Sequence, residues 1–141
     1  TNCRRSRPHN YLENTMNNLC DTIDVRVKTR YLADHSAPAE NRYVFAYDIT
    51  IRNNGNDSAQ LLSRHWIITD GDGKTQEVRG SGVVGEQPVI DADDEYSYSS
   101  GTLMTTVVGS MQGSFTMRTP EGEEFEAIIA PFGLAVPGVV H

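Results

Sequence analysis

A chain of 141 residues, 38% hydrophobic and 22% charged, has room for one globular domain, and it is long enough to fold without a metal or disulfide staple. Its net charge is −7, and Arg4, Arg5 and Arg7 are gathered in residues 1–15, so the rest of the chain is more acidic than the whole. That balance argues against nucleic-acid binding and for cations or basic protein surfaces, and no apolar run approaches the roughly 20 residues that cross a membrane as a helix.

Residues 1–22 read as a flexible leader before a domain spanning 23–141. The polar stretch 1–15 is expected to be an upstream extension with Met16 as the natural start, or else a genuine tail. Its N-terminus is basic, but no apolar segment follows, so it does not read as a secretory signal. Cys3 and Cys20 both lie here, where a disulfide would staple only the leader. Free thiols in a reducing cytoplasm are the expectation.

The first strand is expected over Ile23–Leu32, where Ile23, Val25, Val27, Thr29 and Tyr31 alternate with Asp24, Arg26, Lys28 and Arg30. After a polar loop containing Pro38, Arg42–Asn53 is the second, with Phe45, Tyr47, Ile49 and Ile51 as its inner row. Asn53-Asn54-Gly55-Asn56-Asp57 is a turn signal. Ala59–Thr69 follows as a long strand, with Leu62, Trp66 and Ile68 on one face and Leu61 and Ile67 on the other. Trp66, the only tryptophan, is expected between two sheets. Asp70-Gly71-Asp72-Gly73 is a hairpin turn rather than a calcium loop, because the twelfth position from Asp70 is Ser81 and not the closing glutamate. Lys74–Arg79 returns, Gly80–Pro88 is a glycine-rich loop, and Glu95–Thr102, Met111–Arg118 and Glu124–Ile129 are further strands. The tail Pro131–His141 is expected to dock as an irregular or short edge strand, because proline breaks a ladder. Seven or eight short strands with turn signals between them predict an antiparallel β-sandwich.

Gly80-x-Gly82-x-x-Gly85 matches the dinucleotide fingerprint as a string. That chemistry needs a helix opening after the glycines, yet Gln87, Pro88 and another strand follow. A loop crossing between sheets is the plain reading, and a nest of backbone amides holding an anion is the alternative. Arg64 and Arg79 are the cations that would assist it, so Arg64, Arg79, Gly80, Gly82, Gly85 and Gln87 are the candidate contacts. Asp91, Asp93, Asp94 and Glu95 read as a solvated turn, with weak Mg²⁺ or Co²⁺ attraction as the alternative. His9, His35, His65 and His141 show no metal-ligand spacing. No GxSxG elbow is present, so no catalytic residue, metal ligand or cofactor is assigned. Phe132, Leu134 and Val136 would either cover a sheet edge or form an edge contact with a partner protein.

Several motifs coincide in order: Arg64-His65-Trp66-Ile67-Ile68-Thr69-Asp70, Gly80-Ser81-Gly82-Val83-Val84-Gly85-Glu86-Gln87-Pro88, Tyr98-Ser99-Ser100-Gly101, Gly109-Ser110-Met111-Gln112-Gly113 and Pro131-Phe132-Gly133-Leu134-Ala135-Val136-Pro137. Together they resemble the bacterial ApaG (CorD) family over roughly residues 23–141. The resemblance implies a fibronectin type III-like sandwich and a role associated with cobalt resistance and magnesium efflux. It also implies use as a protein-interaction module in larger eukaryotic proteins. Ala92-Asp93 stands where the family usually has Pro-Gly, and Ser81 where members often carry Glu or Pro. The expected function is therefore a non-catalytic module that binds a protein partner. A weak divalent-cation or phosphate ligand is the alternative, and a hydrolase without a recognisable motif is the third reading.

Overall fold

The computed structural model describes residues 19–138. The expectations placed on Cys3, His9, Met16 and His141, and any Cys3–Cys20 pairing, fall outside those residues. Leu19–Thr22, assigned above to the leader, forms a 3-10 turn. The Thr22 carbonyl accepts from the Asn54 N–H at 2.7 Å and ties that turn to the domain.

Eight strands follow: β1 (Ile23–Tyr31), β2 (Tyr43–Asn53), β3 (Ala59–Asp70), β4 (Thr75–Ser81), β5 (Val89–Ile90), β6 (Glu95–Met104), β7 (Val108–Arg118) and β8 (Glu124–Ala135). One sheet has the order β1-β2-β6; the other runs β4-β3-β7-β8, with β5 also paired to β3. Every pairing is antiparallel, and no α-helix is present among the described residues. The fold is the antiparallel β-sandwich that the alternating pattern predicts.

The core lies between the sheets. β2 contributes Phe45, Tyr47, Ile49 and Ile51, the expected inner row; β3 contributes Leu61 and Trp66; β7 contributes Met111, Phe115 and Met117; β8 contributes Ala127, Ile129 and Leu134. Among the described residues Asn53 is the one that is polar and buried, and its amide is fully used. Its amide donates to the Asp57 and Ile90 carbonyls, and its oxygen accepts from Gly55 N–H. It thereby joins the turn after β2 to β5.

Two bulges depart from strict alternation. Leu61 pairs with Met117 but Ser63 with Thr116, so Leu62 is an extra residue in β3. Leu61 and Trp66 therefore face the same core, although a period of two puts them on opposite faces. In β8, Ile129 pairs with Gly113 and Phe132 with Met111, leaving Ala130 and Pro131 opposite Gln112 alone. β8 accordingly runs through Pro131 to Ala135 instead of ending at Ile129. A proline is tolerated there because the strand is an edge and the ladder is already bulged.

The turns follow their chemistry. Asp70 Oδ1 accepts from the Asp72 and Lys74 N–H groups, which closes the β3–β4 hairpin with the carboxylate facing its own backbone. Asp93 takes the left-handed conformation at φ 63°, which aspartate tolerates in a turn.

Candidate functional site

The two sheets close differently at their two sides. β1 packs beside β8 on one side. On the other, the edge strands β6 and β4 stand apart, and a cleft of about 330 Å³ opens between them. The inward row of β6 runs Tyr96, Tyr98, Ser100, opposite Ile51, Ile49 and Tyr47. Ser100 is too small to fill the gap that a core residue would fill, so the cleft opens there. Tyr47, Trp66 and Tyr98 form its aromatic wall, with the Tyr47 and Trp66 rings 5.4 Å apart in an edge contact.

The rim of the cleft is a hairpin made by the glycine-rich segment. The Val83 N–H donates to the Glu86 carbonyl at 2.8 Å and the Glu86 N–H returns to the Val83 carbonyl at 2.9 Å. The two central residues, Val84 and Gly85, both have positive φ, 48° and 79°. This is a type I′ turn, which favours Asn-Gly and disfavours a β-branched residue. Val84 is also 63% exposed, so its side chain gains little from packing. Val84→Asn is expected to raise stability by about 1 kcal/mol, read as a higher urea midpoint; an unchanged or lower midpoint contradicts this account of the turn.

Arg64 is the charged group of the cleft. It stands two residues before Trp66 on β3 and pairs with the fully buried Phe115, so it belongs to the inward row. Its Nη1 donates to the Gly82 carbonyl at 2.8 Å and the Ser81 carbonyl at 3.1 Å. The guanidinium lies flat over Gly80, where a Cβ would come within 2.7 Å of its carbon. The glycine at position 80 thus makes room for the cation. Among the described residues no carboxylate forms an ion pair with Arg64.

Tyr98 supplies the second polar group. Its hydroxyl is shielded from solvent and has no hydrogen-bond partner among the described residues. Burial raises the pKa of this phenol well above its ordinary value, with Tyr47 and Tyr96 adding to the shift and Arg64 opposing it. Tyr98 therefore remains a protonated donor throughout the neutral range. Ser99, at the mouth, faces the outer surface and donates to Asp48 Oδ1. Asp48 also accepts two hydrogen bonds from Arg30 at 3.1 Å. The Arg30 bonds first, then that of Ser99, hold its carboxyl below the usual carboxylate range.

Of the residues singled out from sequence, the structure brings Arg64, Gly80, Gly82 and Gly85 together at this cleft. Gly82 is buried, its N–H donates to the Leu62 carbonyl, and its φ is 62°. Gln87 has a supporting role, its amide donating to the Leu62 carbonyl at 2.8 Å. Arg79 does not join the site. It pairs with His65 on the outer face of the second sheet and sits 3.8 Å from Glu77. Leu134 is buried, and Phe132 packs against Tyr47 and Trp66, so these two side chains of the candidate partner edge belong to the interior. Val136 is half-buried against the core, its N–H bound to the Val107 carbonyl. Tyr47, Tyr98 and Ser100 were not singled out as site residues. The alternation that points Tyr98 inward was the signal available for finding them.

Among the described residues no α-helix follows Gly85, and the glycine loop leads to strand β5 instead of the helix that a dinucleotide cradle needs. Among the described residues no group of three His, Cys, Asp or Glu side chains could hold a metal ion. No helix among them is long and apolar enough to cross a membrane.

The family model for the ApaG domain matches residues 33–119. A protein from Pseudomonas fluorescens (strain SBW25) called Protein ApaG is 62% identical over 119 residues, which is 84% of this chain and 94% of that protein. An X-ray structure solved by the Northeast Structural Genomics Consortium is 50% identical with a TM-score of 0.83, covering 87% of this chain and 93% of that one. The crystal structure of a Bordetella pertussis protein designated ApaA is 44% identical with a TM-score of 0.80, covering 83% and 95%.

Proposed function

The chain belongs to the ApaG family, and on that premise we propose that it is a non-catalytic module that binds an extended segment of a partner protein along the free edge of β6. The observation that carries this reading is the character of that edge. Among the described residues β6 pairs only with β2, and from Tyr96 to Met104 it has no charged residue and no proline. The other edges are protected. β1 carries Arg26, Lys28 and Arg30, β4 carries Glu77 and Arg79, and β8 carries Glu124, Glu126 and Pro131. An unprotected edge invites pairing with another chain, and strand addition beside a side-chain pocket is a recurrent way to recognise peptides. The cleft opens at this edge, and the exposed Val84 gives it an apolar lip.

The cleft's chemistry supports binding over turnover. Its serines have no histidine in hydrogen-bond contact among the described residues, and the carboxylate bonded to Ser99 is a weakened base held by Arg30. A cytoplasmic location is part of the proposal, tested by fractionating cells that express a tagged chain.

Seven-residue peptides selected by display on the purified protein test the reading. The selected peptides should bind the native protein and lose at least roughly tenfold in affinity to a Ser97→Lys, Leu103→Lys double variant, since lysines protect edges against added strands. Both positions are exposed, so the variant should melt like the parent. Failure to enrich any peptide, or binding that the lysines leave untouched, would overturn it.

A further inference from the structure

We propose that the cleft receives a carboxylate, the side chain of an aspartate or glutamate on the docked segment. Arg64 would hold it through its free Nε–Nη2 edge, with the Tyr98 hydroxyl as a second donor. The inference rests on the strand-addition reading for its partner and on the unused donors of the cleft for its chemistry.

Arg64 is half-buried at the side of an inward row, where a charge pairs more strongly than it does in bulk water. Here one nitrogen is satisfied twice, Nη1 by the Ser81 and Gly82 carbonyls. Nε and Nη2 have no partner among the described residues, and no carboxylate neutralises the group. The fixed side of the guanidinium lies against Gly80 and the hairpin, so it cannot fold down into the sheet. Its open edge presents two parallel N–H groups, the fork that a planar carboxylate matches. Tyr98 adds a shielded hydroxyl that also has no acceptor. Buried donors are almost always paired in folded proteins, and the Tyr98 hydroxyl is such a donor; Arg64 is half-buried beside it and offers only donors. What the cleft lacks is an acceptor, and an anionic acceptor would also compensate the charge.

Size and net charge narrow the occupant. At about 330 Å³ the cleft is at the small end of ligand sites, which span roughly 300–1,000 Å³, and it suits one side chain and not a large cofactor. The net charge of −7 repels acidic peptides at long range, so a preference for an acidic residue cannot come from general electrostatic attraction. It has to come from the local cation.

The test uses the display-selected peptides synthesised with Glu, Gln or Lys at the position that enters the cleft. Binding is followed by the fluorescence of Trp66, which lines the site. A charge-assisted pair predicts that the Glu peptide binds roughly tenfold to a hundredfold more tightly than the Gln peptide. That advantage should vanish in Arg64→Gln. It should also shrink in Gly80→Ala, whose Cβ displaces the guanidinium without removing it. Thermal melts of both variants establish that they fold, and Gly80→Ala serves alone if Arg64→Gln does not. Equal binding of the Glu and Gln peptides, or a Glu advantage that survives both substitutions, would overturn the carboxylate site and leave strand addition standing. If no peptide binds at all, strand addition fails, and titration with acetate and with inorganic phosphate tests the anion site by itself. An Arg64-dependent change in Trp66 fluorescence would support the site, stronger for acetate if a carboxylate is the ligand. Silence to both anions would end it.

Discussion

Gly113→Ala is expected to destabilise the protein by roughly 3–5 kcal/mol, lowering its melting temperature by about 10–20 °C. Gly113 pairs with Trp66 on one side and Ile129 on the other, in the inward row between Met111 and Phe115. A Cβ built on it would run into the carbonyl oxygen of His65 and lie 3.1 Å from the Trp66 Cα. Both obstacles are backbone, and the backbone of a central strand paired on both sides cannot give way without breaking ladder hydrogen bonds. This separates Gly113 from Gly80, where the obstacle is the movable end of Arg64. Differential scanning calorimetry of the two alanine variants should therefore show a large loss for Gly113→Ala and a small one for Gly80→Ala. Equal losses would mean that the close approach of β3 to β7 is not as described.

Phe115→Ala is expected to cost about 3–5 kcal/mol, the usual range for deleting a buried aromatic ring. Phe115 is 0% exposed, and its ring lies 6.4 Å from both the Trp66 and the Tyr98 rings, edge to face. Removing it leaves a void behind the wall of the cleft, which the surrounding strands can close only in part. The consequence extends to the site, because Trp66 and Tyr98 lose the group that fixes their orientation. Phe115→Leu fills most of the space and should cost far less, about 1 kcal/mol. Urea titrations of the two variants, read by Trp66 fluorescence, check both magnitudes. A loss under about 1 kcal/mol for Phe115→Ala contradicts a shared aromatic core.

Strand positions were legible because period-two alternation is local. The rows Ile23-Val25-Val27 and Phe45-Tyr47-Ile49-Ile51 each follow from their own segment alone. The bulges were not legible. Leu62 and the Ala130–Pro131 pair each insert one residue into a ladder, and only the partner strand defines that excess. Hence Leu62 was expected inward where Leu61 is, and β8 was expected to stop at Ile129.

The candidate site divides along the same line. The glycines belong to one distinctive loop, which Arg64 reaches from β3, 17 residues before Ser81, and the sequence pattern named both as candidates. The same pattern included Arg79, which pairs with His65 and so lies on the outer face, while its neighbour Val78 pairs with Trp66. Tyr98 and Ser100 complete the cleft from the other sheet. That facing of β6 and β4 is a long-range arrangement, and no local spacing encodes it. For the segment Phe132-Gly133-Leu134 the sequence leaves two readings open, cover for a sheet edge or contact with a partner. Its apolar residues meet Tyr47, Trp66 and the core across the sandwich, and this uses them before any partner could.

The central claim is that the partner docks on β6 beside the cleft. Amide hydrogen–deuterium exchange of the intact protein, with and without a saturating display-selected peptide, tests it most directly. The account predicts slowed exchange within Ser97–Leu103 and at the Val83–Glu86 hairpin, with β1 and β8 unchanged. Protection confined to β1 or β8, with β6 exchanging as before, would contradict it.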